Sequence, residues 1–407
     1  MPPLTGGASS MGFSYAIRSS LRSNHIFPTG TVCNPGTRHA VSGRGFPHPC
    51  PSSYPPPGSP CPPTAQECPM RMRSDPPGEP GVELTDSDEL RELAALFQRG
   101  ENPPFSGLNT FLKAPHLQDL NLVGEHQVAV VGVPLDAAAA HRPGPRFGPQ
   151  GMRRISTLHA SHYCERGADL LDGLDIVDLG DVFLAPADLD AAFARITKAV
   201  AHIVAHGTFP VVLGGDHSVG YPAARGVMEA HGGKIGVIHF DRHLENRNPD
   251  GGGPASLVPG RRAVHETHFD LGNLVQIGVS GWQAARAPIL DGSVVITMED
   301  LEERGLDTVA DLALEAAWGG GARGVYLSFD IDAVDPGFAP GTGWPEPGGL
   351  YPREALRLVR RFAKEGLLGM EVVEVAPPYD SSDVTSLLGV RLICEVLAAS
   401  VASGHLG

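Results

Sequence analysis

Three short stretches carry the residues able to do chemistry. "FPVVLGGDHS" ends in Asp216 and His217, "IGVIHFDRHLE" in Asp241, His243 and Glu245, and "GVYLSFDIDAVDP" in Asp330, Asp332 and Asp335. Each cluster follows an apolar, β-branched run, so each falls where a buried strand stops. In extended chain, residues i and i+2 point the same way. That predicts convergence of Asp241, His243 and Glu245, and of Asp330 with Asp332. Carboxylates gathered in one cleft repel and take up protons unless a cation neutralises them. Imidazole and carboxylate without thiolate suit a first-row divalent ion of the manganese, nickel or zinc type. Five or six such ligands suffice for two ions sharing bridging carboxylates, and such a pair can hold a hydroxide at neutral pH. A lone aspartate at a strand end is ordinarily a helix cap or turn residue. Caps do not explain three acid and histidine clusters, each closing an apolar strand.

The elements that must position these groups can be read from the same sequence. Strand candidates are "QVAVVGVPLD", "FPVVLGGD", "IGVIHFD", "LVQIGVSG", "SVVITMED", "GVYLSFDID" and "LGMEVVEV". The runs are continuously apolar, which marks strands buried on both faces and hence a parallel sheet covered by helices. Helices are expected over residues 86–100, 190–206, 353–365 and 385–402. The fold class is α/β, a three-layer α/β/α domain on a mostly parallel, doubly wound sheet. In such sheets the site lies at the carboxyl ends of the strands, so the three clusters can face one crevice.

Residues 1–81 differ from the rest. They are rich in Pro, Ser and Gly, and up to Gln66 they contain no Asp, Glu or Lys, while Arg18, Arg22, Arg38 and Arg44 are present. That composition predicts disorder. It fits an organelle transit peptide, or equally a non-functional extension with the start at Met70 or Met72. The expected organisation is this extension, a helical lead-in over 82–126 and a catalytic domain over 127–407. The cytoplasm is the default location, with mitochondrion or another organelle as the alternative. The formal net charge of −15 argues against nucleic acid or an anionic membrane as partner. Six scattered cysteines without a CxxC pair argue against a disulfide framework. The most apolar stretch, residues 384–403, is interrupted by Arg391 and Glu395 and reads as a core helix rather than a membrane span.

At the acidic clusters the chain resembles the ureohydrolase family of arginases, agmatinases and guanidino-acid hydrolases, whose signatures are GGDHS, DAHxD and SxDxDxxDP. Here they read "GGDHS" (214–218), "DRHLE" (241–245) and "SFDIDAVDP" (328–336). "RPGPRFGP" (142–149), "DLGDV" (178–182), "FAPGTG" (338–343) and "EVAPPYD" (374–380) extend the likeness over about residues 127–402. The resemblance implies an arginase-like fold and two divalent ions, usually Mn2+, with Ni2+ as the alternative. One ion would take His217, Asp241, Glu245 and Asp330, and the other His243, Asp241, Asp330 and Asp332. A bridging hydroxide would attack the guanidinium carbon and release an amine and urea. Glu374 matches the acid that pairs with the guanidinium, whose planar donor fork suits a carboxylate. The family also implies a homo-oligomer, a trimer or hexamer.

The departures from the pattern bear on the substrate. Glu245 stands where the family has Asp. Arg242 replaces a small residue and is expected to point away from the ligands, toward a salt bridge. An alanine run, Ala137 to Ala140, replaces small polar residues and Gly, with His141 as a candidate contact. The relatives' histidine before "RRAV" is missing, near Ser256, and His265 or His268 could compensate. "GTGWPEPGGL" (341–350) and "NLVQIGVSGWQ" (273–283) are similar to a nickel-dependent guanidine hydrolase branch. There Trp344 would narrow the pocket and stack on a guanidinium. The expected function is hydrolysis of a guanidino C–N bond in guanidine, guanidinobutyrate, guanidinopropionate or agmatine. The alternative is a degenerate relative serving as a structural or regulatory subunit.

Overall fold

Strands that bury both faces need helices above and below, and the computed structural model has that form. The structure describes residues 105–137, 139, 141–159, 162–163, 168–184, 188–244, 271–282 and 292–407. The Pro-rich extension, the helix expected over 86–100, Glu245, Ser256, His265, His268 and every cysteine but Cys394 lie outside them. Eight strands form the sheet: β1 (Val128–Gly132), β2 (Ile176–Asp181), β3 (Phe209–Leu213), β4 (Gly236–Phe240), β5 (Leu274–Val279), β6 (Val294–Thr297), β7 (Val325–Asp330) and β8 (Leu367–Val373). Their order is β2-β1-β3-β8-β7-β4-β5-β6, and every pairing is parallel. A two-residue antiparallel pair, His162–Tyr163 with Ala168–Asp169, stands apart.

Register aligns the ends of the four central strands. Leu213 pairs with Val372, Val372 with Phe329, and Phe329 with Phe240. One row therefore crosses β3, β8, β7 and β4, and the chain beyond that row carries His217, Glu374, Asp330 and Asp241. Gly215 is required at this edge: a Cβ there would meet the Leu135 carbonyl oxygen at 1.8 Å, an approach only glycine permits.

Helices α1 (Gly148–Ser156), α2 (Leu189–Ala205), α3 (Gly220–His231), α4 (Met298–Arg304), α5 (Leu306–Ala317), α6 (Pro352–Ala363) and α7 (Val384–Ala402) supply the outer layers. The pleat divides the core in two. Val130, Leu213, Ile238 and Phe329 bury with Phe362 of α6 and Leu392 of α7. Ala129, Val131 and Val212 bury on the other face with Ile196 and Val200 of α2 and Val227 of α3. The segment Ser381–Ala402 is long and apolar enough to cross a membrane, with a mean hydropathy of 1.8, but 78% of that window is buried inside the fold. Glu395, buried in α7, is paired with Arg391 at 2.6 Å and Arg360 at 3.1 Å, so it is neutralised as a buried charge must be. Asp380 caps this helix, accepting from Thr385 N at 2.9 Å and from Ser386 N and Oγ at 2.8 Å. Asp380→Ala is expected to cost about 1–2 kcal/mol of stability, read from urea unfolding of the metal-free chain.

The expected strand over residues 293–300 is shorter than the apolar run suggested. It stops at Thr297, because Thr297 and Asp300 form a reciprocal capping box that starts α4. Strand β2 was not expected as a strand. Its Asp178 is fully buried and accepts from Arg153 Nε and Nη2 at 2.8 Å each, so an acid that reads as polar sits in the interior with its partner. Helices α1, α3, α4 and α5 were also not singled out; α1 and α3 are rich in Gly and Pro at their starts, which hides their periodicity.

Candidate metal centre

The four aligned strand ends bring the acids and histidines together. Asp241, Asp330 and Asp332 are 2%, 1% and 3% exposed. His217 follows β3 in a 3-10 turn capped by Asp216. Its Nδ1 lies 3.0 Å from Asp241 Oδ2 and 2.9 Å from Asp330 Oδ2, and its Nε2 lies 2.8 Å from Ser328 Oγ. His243 Nδ1 lies 3.0 Å from Asp241 Oδ1 and 3.1 Å from Asp332 Oδ2. Among the described residues, donor atoms lie within 4.8 Å of one another inside each of two groups: His217, His239 and Asp241, and Asp241, His243 and Asp332. Asp241 belongs to both.

The pleat does not bring these groups together. Strand β4 ends at Phe240, and His243 N donates to Asp241 Oδ1 at 2.6 Å in a tight bend. Asp332 N donates to Asp330 Oδ1 at 2.7 Å in a 3-10 turn, Ile331–Ala333. Both are aspartate-closed turns, so the i, i+2 spacing works through side-chain capping of the backbone. Asp335 does not join the cluster. Its carboxylate accepts from Gly337 N and Gly348 N, each at 2.8 Å, and closes the following loop.

His239 was missed. It lies on β4 two residues before Asp241, its Nε2 is 3.2 Å from Asp241 Oδ2, and its ring stacks on His217 with centroids 4.3 Å apart. The alternation in "IHFD" carried that signal, running backward from Asp241 rather than forward. Glu371 was missed too. It is a fully buried acid inside β8, accepting from the Tyr326 hydroxyl at 3.2 Å, and burial holds its carboxyl above the usual range.

The electrostatics are those of a crowded acidic pocket. Burial, then Asp332 and Asp241, hold the Asp330 carboxyl well above the usual range despite His217. Burial acts the same way on Asp241, but its contacts with His217, His239 and His243 outweigh it and hold that carboxyl well below. Burial opposes charge on His217, yet Asp241 and Asp330 raise its pKa well above the ordinary value. His243 is pushed up to about 11, burial being outweighed by Asp332 and Asp241. The carboxylates thus favour the charged form of the His217 and His243 imidazoles, against the burial that opposes it. The donor set fits divalent cations: oxygen and imidazole nitrogen only, with Asp241 facing both sides.

Glu374 follows β8 with φ +61°, a strained setting for a non-glycine residue. Its Oε1 accepts from His217 N at 2.9 Å. Burial, then Asp216, push its carboxyl up to about 8. Trp344 is 44% exposed. Its ring lies 5.4 Å from that of His243, edge to face, and 5.8 Å from that of His141. The loop carrying Trp344 is pinned by Arg142, whose Nε donates to Gly343 O at 3.2 Å and whose guanidinium covers Tyr379 at 4.6 Å. Ala138 and Ala140 of the alanine run lie outside the described residues. Arg242 does not point away from the cluster. It is 1% exposed, its Nη2 pairs with Glu346, and its Nη1 lies 2.9 Å from His243 Nε2. Glu245 lies outside the described residues.

Comparison with known proteins fits this geometry. A model of the arginase family matches residues 126–399. The chain is 37% identical over 302 residues to a guanidinobutyrase of Pseudomonas aeruginosa, spanning 73% of this chain and 93% of that one. It is 38% identical over 276 residues to a human mitochondrial guanidino acid hydrolase, spanning 67% and 77%. The solved proclavaminate amidino hydrolase of Streptomyces clavuligerus superposes with a TM-score of 0.66 at 34% identity, covering 74% of this chain and all of that one. With its parallel eight-stranded sheet and its aspartates and histidines at the central strand ends, the chain belongs to the arginase family.

Proposed function

We propose that this chain is a metal-dependent amidinohydrolase that cleaves a guanidino C–N bond with water, yielding an amine, or ammonia from free guanidine, and urea. The observation that carries the proposal is Asp241, shared between two sets of donors and flanked by Asp330 and Asp332. Two divalent ions, Mn2+ first and Ni2+ second, would be held by His217, Asp241 and Asp330 and by His243, Asp241, Asp330 and Asp332, with Glu245 as a further proposed ligand on the His217 side. When bound, such ions supply a hydroxide at neutral pH.

The chain's own residues account for the rest. Glu374 presents a carboxylate to the planar guanidinium fork, and its anchor on His217 N ties substrate position to the cation cluster. Gly343 keeps space beside that carboxylate: a Cβ there would stand 3.3 Å from Glu374 Oε2. Trp344 and His141, whose rings lie 5.8 Å apart, are proposed to wall the mouth of the site. We assign to this wall a preference for short substrates, in the order guanidine, guanidinobutyrate or guanidinopropionate, then agmatine. Relatives carry the names guanidinobutyrase and guanidinopropionase as well as agmatinase. Residues 1–81 are proposed to stand outside the catalytic domain at 127–407. Names of the chicken and human relatives include "mitochondrial", which supports the organelle alternative for location.

The test is metal content together with urea release over a panel of guanidino compounds. Fewer than one bound ion per chain, with no urea from any compound, would sink the proposal in favour of the degenerate subunit. Trp344→Thr is expected to raise kcat/KM for agmatine relative to guanidine about tenfold, ~1.4 kcal/mol. Unchanged ratios remove Trp344 from the pocket argument.

A further inference from the structure

The two histidines at the centre are not equivalent. A cation-binding imidazole that uses Nδ1 directs its Nε2–H outward and needs an acceptor there. His217 has one: Ser328 Oγ at 2.8 Å from Nε2. His243 meets the opposite. Arg242 Nη1 lies 2.9 Å from its Nε2, and a guanidinium carries only donors. With a cation on Nδ1, N–H would face N–H.

Arg242 is not free to turn away. Its Nη2 pairs with Glu346, and Glu346 Oε1 accepts from Trp282 N at 3.0 Å. Its backbone oxygen accepts from Ser280 N at 3.0 Å. The guanidinium is thus fixed from two loops while 1% exposed. Glu346 offsets the guanidinium's charge, so the mismatch of donor against donor at 2.9 Å is the effect that acts on His243.

We infer that Arg242 is a counter-ligand device that weakens cation binding at His243 and makes the two positions unequal, tight on the His217 side and weak on the His243 side. This rests on the proposed metal-dependent function. Its consequence is that occupancy of the second position, and with it activity, tracks the free concentration of the ion.

The test is Mn2+ binding to the full chain at one fixed pH, followed by calorimetry and by quenching of Trp344 fluorescence, with Trp344→Phe identifying the His243 step. The unaltered chain is expected to bind in two steps at least tenfold apart, the weaker one quenching Trp344. Arg242→Ala should tighten the weaker step about tenfold and leave the tighter one in place. Arg242→Met, which keeps the buried stem, should do the same if the alanine variant fails to fold. Ser328→Ala should weaken the tighter step instead. Two equal steps in the unaltered chain, or a weakened or lost second step in Arg242→Met with an unchanged unfolding midpoint, overturns the inference and leaves the proposed function standing. No binding of Mn2+ or Ni2+ by the unaltered chain overturns both.

Discussion

Asp241→Asn is expected to leave the chain folded, stripped of its divalent ions and slowed in urea release by about a thousandfold, ~4 kcal/mol in kcat/KM. Asp241 faces His217, His239 and His243 at 3.0, 3.2 and 3.0 Å, and among the described residues it belongs to both close groups of donors. An amide keeps the shape but supplies no charge, and one edge would turn N–H donors toward imidazole nitrogens. The pH dependence of the metal-free chain has a definite sign. A carboxyl held below its ordinary value contributes stability above about pH 4, the unfolded value, and loses it as pH falls through the folded one. The acid-unfolding curve of the aspartate chain should therefore be steeper than that of the asparagine variant. Metal analysis after dialysis, with circular dichroism for the fold, checks the main claim. One ion retained per chain with activity within tenfold of the original would remove Asp241 from its proposed role.

Glu374→Gln is expected to lower kcat/KM about a hundredfold, ~3 kcal/mol, the scale of one buried charge-assisted pair, with metal content unchanged. Burial and Asp216 push this carboxyl up to about 8. In the metal-free chain the folded state holds that proton over a range where the unfolded chain has lost it. Raising pH from about 4.3 toward 8 therefore costs stability. Bound cations favour the carboxylate, so kcat/KM should rise with pH through an apparent value at or below 8. The residual activity of the glutamine variant should lack that limb. A variant that keeps full kcat/KM, or loses its metal instead, argues against the guanidinium-pairing role.

The layered fold was legible because strands covered on both faces need unbroken apolar runs, and seven of the eight carry them. The eighth, β2, hides its acid by pairing it with Arg153, and pairing between residues 25 apart leaves no mark in local composition. The gathering of Asp241, His243, Asp330 and Asp332 was legible from type and spacing, although aspartate-closed turns bring it about. The salt bridge expected of Arg242 is present, to Glu346, but its nearness to His243 was not expected. A long side chain can return to its neighbour, so backbone direction at the Cα says little about where a guanidinium ends. His239 was missed, although the same alternation rule applied toward the amino end would have found it.

The position of β8 carries one more consequence. It is the last strand in the chain, yet it lies between β3 and β7 in the middle of the sheet. Until it inserts, the two halves of the crevice have no common wall. Closing it joins segments about 160 residues apart, such as His217 N and Glu374, the kind of distant pairing that slows folding. On the ribosome, the cradle therefore takes shape only after nearly the whole polypeptide has emerged. A transcript truncated before residue 367 would yield a chain with its signature motifs intact and no pocket to hold them.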